Sequence, residues 1–213
     1  PSDGVSHYVN SSRDQYTNLV YGLWRFYHAA LSREEHKEKI RRVLSDIAER
    51  LLCEVTRENR YSLLRDDGKP GIAYEMWGDL APHEFLRMPM LYAAAYDVTG
   101  NEKYRAEYEK YRDAAIEKSL PIRCENLWHL YAALQMQFSV RLLYDFESEK
   151  DYRDRYFRLL ETVGEYCRLY VLQNAETLCS GDLTRFQYIY EPWNSLPLKP
   201  AEQFDDRSSA KPL

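Results

Sequence analysis

The sequence predicts an all-α fold of repeated α-hairpins, and three observations carry that prediction. Segments that are apolar on nearly every face alternate with segments carrying only an apolar stripe, three times in succession. Two of the joining turns resemble each other: Tyr96-Asp97 precedes Gly100 and Glu102-Lys103-Tyr104, and Tyr144-Asp145 precedes Glu149-Lys150 and Tyr152, with a tyrosine-to-tyrosine spacing of eight in both. One connection, 58–81, is far longer than a hairpin turn and carries turn chemistry of its own.

Residues 1–10 are polar and read as an N-terminal arm. The helical-hairpin domain, 11–175, opens with a helix from about Ser12 to Leu31. Ser11 or Ser12 is the candidate N-cap, and Asp14 lies in the first turn, where a carboxylate favours the helix dipole. Leu19, Val20, Tyr21, Leu23, Trp24, Phe26 and Tyr27 cover nearly every face, which predicts a buried helix. Arg13 and Asp14 need partners or water, so that end is expected to face a wet cavity. Ser32 is the expected cap of an outer helix reaching about Val55, with Ile40, Val43, Leu44, Ile47 and Leu51 as its stripe. The second pair is a buried helix at about 82–98 and a striped one at 102–118, separated by the helix stop Gly100. Pro89 predicts either a kink in the first of these or a start only a turn before it. The third pair spans about 125–146 and 149–173.

In the long connection, Asp67-Gly68 and Pro70-Gly71 are turn signals flanked by Tyr61-Ser62-Leu63-Leu64 and Ile72-Ala73-Tyr74, which predicts a small β-hairpin. Beyond Ala175 the helical rhythm stops. Residues 176–213, with Pro192, Pro197, Pro200 and Pro212, read as an irregular C-terminal extension in which 185–190 could form a strand.

Composition excludes several classes. A net charge of -5 with no Lys/Arg stripe argues against nucleic acid as a partner. No run of about 18 apolar residues exists, so no membrane span is expected. Cys53, Cys124, Cys167 and Cys179 show neither CxxC nor Cys/His ligand spacing, so no metal site is expected; four cysteines could form two disulfides, but in a helical chain of this length buried free thiols are the expectation. Phosphate-binding loops, dinucleotide fingerprints and nucleophile elbows are absent, and no cofactor is expected. The 19 tyrosines suit helix packing and also polar, ring-binding surfaces. A chain that begins at Pro1 is expected to be processed or cut from a longer protein.

Two stretches carry a resemblance. SSRDQYTNLVYGLWRFY looks like the start of an inner helix, and HEFLRMPMLYAAAYDVTGNEKY, His83 to Tyr104, is similar to a segment of unsaturated glucuronyl and rhamnogalacturonyl hydrolases. Over about 11–170 the chain therefore resembles the six-hairpin glycosidase-like (α/α)6 toroid superfamily. The resemblance implies half of an (α/α)6 barrel, with either a missing half of the same toroid as a partner or a shorter array of hairpins, and a carbohydrate ligand, with a secreted or periplasmic setting favoured. Aligned on Pro89, His83 stands where those hydrolases carry their acid/base aspartate, with Glu84 beside it. The family's hydration mechanism is not carried over without that carboxylate.

Cleavage of a glycosidic bond uses two carboxyl groups, one as proton donor and one ionised. The candidates are Asp14, Asp79, His83 and Glu84 for catalysis, with Glu125 as a further carboxylate at an inner-helix start. Arg13, Tyr74, Glu75, Trp77, Trp128 and His129 are the candidates for holding a sugar, whose apolar face suits an indole and whose hydroxyls suit polar groups. The alternatives are a non-catalytic helical-repeat module that binds a glycan or protein and a sugar epimerase or isomerase using His83 and His129.

Overall fold

A computed structural model describes residues 12–65, 67–122 and 130–164. All of them belong to one compact unit, Asn10–Tyr166, and the second unit, Pro1–Val9 with Cys167–Leu213, lies outside them. Also outside are the predicted arm, the end of the sixth helix, the 185–190 strand, the irregular extension, and Cys124, Glu125, Trp128 and His129. The described residues are mostly helical, with one small two-stranded sheet.

Helix α1, Arg13–Tyr27, starts at a reciprocal cap. The Ser12 hydroxyl accepts the Gln15 N–H at 3.4 Å, and the Gln15 side chain accepts the Ser12 N–H at 3.0 Å. Helix α2, Glu34–Glu54, is capped by Arg33 and not by the expected Ser32. Ser32 is taken up by the preceding turn, donating its N–H to the Ala29 carbonyl at 2.9 Å, and the chain becomes extended only at Arg33.

Helix α3, Arg87–Thr99, starts five residues later than the run from Pro82 suggests. Residues 82–86 form turns, which makes Pro89 the third helical residue. First-turn N–H groups have no partner within a helix, so a proline there costs no bond and requires no kink. Gly100 ends α3 in the left-handed region at φ 68°, with its N–H on the Tyr96 carbonyl at 2.7 Å. Asn101 then caps α4, Glu102–Ser119, by accepting the Lys103 N–H at 3.1 Å. Helices α5, Leu130–Phe146, and α6, residues 150–164, complete the set.

Helix α3 is the centre. It packs on α1, α2, α4 and α5, and Met88, Met90, Leu91, Tyr92, Ala93, Ala94 and Ala95 are all buried. Side-chain pairs show that α1, α3 and α5 run parallel. At their starts Asp14 meets Arg87; at their ends Trp24 Nε1 and His28 Nε2 lie 2.7 Å and 2.6 Å from Asp97 Oδ2, and Arg25 lies 3.6 Å from Asp145. The molecule thus has a loop end, where these helices begin, and a turn end.

Helix α1 also packs directly on α5, with Tyr21 stacked on Phe138 at 4.7 Å and Gln135 donating to Asn18 at 3.1 Å. The three odd-numbered helices therefore close into a triangle. The expectation of burial on every face of α1 is corrected: Thr17, Val20 and Trp24 are buried, whereas Leu19 and Phe26 are 48% and 41% exposed. Its packed sides face α2, α3 and α5, with the end of β2 at its first turn.

In the long connection, β1, Ser62–Leu64, pairs antiparallel with β2, Pro70–Glu75, Ser62 facing Glu75 and Leu64 facing Pro70. Asp67 and Gly68 make the turn, Gly68 at φ 74°. Pro70-Gly71, read as a second turn signal, instead opens β2, a position where the missing proline N–H is tolerated. The hairpin is fastened to the end of α2: Arg50 donates to the Leu64 carbonyl at 2.5 Å, and Glu54 accepts the Leu64 N–H at 2.8 Å. Cys53 is a free, exposed thiol, contrary to the expected burial. Among the described residues, no helix is long and apolar enough to cross a membrane.

Candidate functional site

The loop end brings together residues that the sequence holds far apart. Arg13 and Asp14 occupy the first turn of α1, Glu75 ends β2, His83 and Glu84 lie in the turns before α3, and Arg87 is the first residue of α3. Glu84 is the hub, 7% exposed. Its Oε1 is in close ionic contact with Arg13, lies 3.4 Å from Arg87 Nη1 and 3.8 Å from His83 Nε2, and its Oε2 accepts the Ala81 N–H at 3.3 Å.

Each arginine reaches a second carboxylate. Arg87, 2% exposed, pairs through its other terminal nitrogen with Asp14 at 2.5 Å, so one guanidinium joins both acidic side chains. Arg13 Nη1 lies 3.5 Å from the Glu75 carboxylate and donates to the Glu75 carbonyl at 3.1 Å. Burial of Glu84 is thus offset by two cations, the condition under which a buried carboxylate is tolerated. The Asp14 and Glu75 side chains are 30% and 50% exposed and form the side of the cluster open to solvent.

Five predicted residues, Arg13, Asp14, Glu75, His83 and Glu84, converge here; three others do not. Asp79 is exposed, and among the described residues no ion pair or hydrogen bond links it to the cluster, because the chain turns away at Gly78, φ 106°. Tyr74 is 3% exposed: alternation along β2 turns it into the core while Glu75 faces out, so it is a packing residue and not a surface for a sugar. Trp77 packs edge-to-face on Phe85 at 5.5 Å and Tyr111 at 4.8 Å, fastening the loop to α4 away from the charge cluster. Trp128 and His129 lie outside the described residues.

Arg87 is the member that sequence reasoning missed. Its signal was available: a lone charge inside Phe85-Leu86-Arg87-Met88-Pro89-Met90 must be paired if that run is buried. Among the described residues, no group of three or more His, Cys, Asp or Glu is placed to hold a metal ion. Chemically, the cluster offers an imidazole beside a covered carboxylate, two solvent-facing carboxylates and two guanidinium groups, a set able to orient hydroxyl-bearing ligands and to move a proton through the imidazole. Compared with known proteins, the chain matches no family model, no curated protein and no solved structure.

Proposed function

We propose that the domain is carbohydrate-active and that the loop end is its site. The observation supporting this is the convergence of Arg13, Asp14, Glu75, His83 and Glu84 from three separate segments onto one partly solvated cluster. In this reading Asp14 and Glu75 meet the substrate from the open side, and His83 carries the proton. Glu84 orients the imidazole, and the arginines hold the carboxylates and the sugar hydroxyls. The chemistry is glycosidic cleavage, which needs one donor and one ionised partner. The test is release of reducing ends from a panel of neutral and acidic oligosaccharides by the wild-type chain, Asp14→Asn and His83→Gln, with thermal melts to verify folding. Turnover is expected in the wild type and lost in both variants; turnover unchanged in both sinks the assignment.

A second reading, a non-catalytic glycan-binding module, is favoured by Arg87, whose single guanidinium already engages Asp14 and Glu84 and so competes with a proton-transfer role for Asp14. Binding without turnover selects it. The ring of six hairpins has less support than the helical hairpins themselves. In such a ring, with helix axes about 10 Å apart, the first and third inner helices are next-nearest neighbours and do not touch, whereas α1 and α5 pack side by side.

A further inference from the structure

An open groove of about 380 Å³ runs between α1 and α2, with Leu19 and Val43 in its walls at 48% and 38% exposure. Phe26, 41% exposed, continues the apolar strip two turns along α1 from Leu19. Arg50 Nη1 donates to the Tyr16 hydroxyl at 3.3 Å at one end, Arg41 Nε donates to the Tyr27 hydroxyl at 3.2 Å towards the other, and the Phe26 and His36 rings lie 5.5 Å apart. These links set the two helices antiparallel and place Gly22 of α1 level with about Val43 of α2.

Three features of this face have no use inside the described fold. The first is Gly22. A glycine in a helix interior weakens the helix, and a Cβ added here would meet nothing within 4 Å. The notch it leaves, on the same side as Leu19 and Phe26, lets another backbone come close. The second is that the neighbouring exposed positions, Gln15 and Asn18, carry no charge in a chain with 30% charged residues; depletion of charge marks the centre of interfaces. The third is a pair of free charges. Lys39 and Asp46 are exposed, and neither makes an ion pair or hydrogen bond with a described residue. Seven residues apart along one side of α2, about 10 Å, they cannot pair with each other.

The charges on α2 are ordered about Val43. Lys39 lies four residues before it and Asp46 three after; Glu35 lies eight before and Arg50 seven after. At 100° per residue all five fall within about 80° of the helix surface. Laid antiparallel on a second copy of itself, α2 brings each charge opposite its complement: Lys39 meets the partner's Asp46, and Glu35 meets the partner's Arg50, each twice by symmetry. Glu35 and Arg50 already hold Arg33 and Glu54, so Lys39 and Asp46 carry the recognition. On α1, with Gly22 at the crossing, Leu19 meets the partner's Phe26.

From these observations we propose that the α1–α2 face is an interface between two copies of the chain, related by a two-fold axis level with Gly22 and Val43. An isologous contact needs a self-complementary patch, and one axis satisfies both helices here. An unrelated helix entering the groove would gain the apolar contact but would have no reason to match charges ordered about Val43. Two helices about 10 Å apart and about 22 Å and 31 Å long present roughly 600 Å² per copy. That is the lower bound of a specific interface, so the dimer is expected to dissociate in the micromolar range. The interface lies apart from the loop-end cluster and stands whether or not that cluster is catalytic.

Sedimentation equilibrium of the whole chain up to about 500 µM tests it. A reversible dimer is expected, weakened at least tenfold by Lys39→Glu or by Asp46→Lys, each of which sets like charges opposite each other, and restored to within threefold in the Lys39→Glu/Asp46→Lys double variant. Gly22→Glu is expected to abolish the dimer while its circular dichroism melt, taken dilute, is no lower than that of the wild type, because the substitution fills open space with a better helix former. Asp14→Asn is expected to lose turnover at the loop end and to dimerise as the wild type does, so the two proposals fail separately. A wild type that stays monomeric at every concentration would mean that another molecule, or another part of the chain, covers the groove, and would overturn the proposal. Single charge variants within twofold of wild type, a double variant left as weak as either single one, or a Gly22→Glu chain that still dimerises would each overturn it too.

Discussion

The two ends of the bundle each bury one carboxylate to the same depth and satisfy it in opposite ways. At the turn end Glu147 is 6% exposed, against 7% for Glu84 at the loop end. One oxygen of Glu147 accepts the N–H groups of Ser148 and Glu149 at 2.9 Å and 3.0 Å; the other accepts the Tyr108 hydroxyl at 2.5 Å and Arg112 at 3.2 Å. Fixed backbone supplies half of that shell, so Glu147 acts as a cap between α5 and α6. Glu84 has one backbone donor and is otherwise held by side chains from residues 13, 83 and 87. At equal burial, one carboxylate is held half by backbone N–H groups and the other mostly by side chains.

The sharpest way to break this comparison is Glu147→Ala. It removes the cap and leaves Arg112, buried at 8% exposure, with only the half-exposed Glu149 as a carboxylate partner. A loss of about 3–5 kcal/mol is expected, the scale of a broken buried pair, measured by urea unfolding. A loss under about 1 kcal/mol would show that the turn end does not depend on its cap.

Arg87→Met comes next, with an expected loss of about 2 kcal/mol, below the full cost of a broken buried pair. Arg13 still compensates Glu84, and Asp14 is open enough to be hydrated. The same unfolding experiment checks it. A loss equal to that of Glu147→Ala would make the loop end as rigid as the turn end and weaken its reading as a site.

Much of this was legible in the sequence, because local chemistry decides it. Ser12 caps α1, Gly100 and Asn101 make the α3–α4 turn, and Asp67-Gly68 turns the β-hairpin, each using only near neighbours in the chain. The misreadings arose where tertiary contacts decide. Leu19 and Phe26 are apolar in type but are only partly covered, 48% and 41% exposed, and apolarity alone does not say which faces of a helix will be covered. Glu75 and Trp77 are two residues apart, yet one joins the charge cluster and the other the α4 aromatics, because the chain leaves β2 between them. The convergence of Asp14 with Glu84 was anticipated only as two helix starts facing one space; the arginine bridging them was found in the coordinates of α3.

The smallest expected effect distinguishes the ends by pH. Burial first, then neighbouring Tyr156 and Glu147, push the Tyr108 phenol far above its ordinary value near 10, and burial raises Tyr156 as well. Below pH 10 both folded and unfolded chains keep these protons, so the contribution is complete. Above pH 10 the unfolded chain ionises while the folded one does not; the unfolded state then binds fewer protons, and stability falls as pH rises. Each such tyrosine adds about 1.4 kcal/mol per pH unit to that slope. Tyr108→Phe is expected to cost about 1–2 kcal/mol at pH 7, through the lost bond to Glu147, and to make the alkaline slope shallower by one proton. Urea midpoints between pH 9 and 11 read both quantities. The loop-end cluster contains no tyrosine, so Arg87→Met should leave the alkaline slope as steep as in the wild type; an equal flattening in both variants would mean that the two ends titrate as one unit.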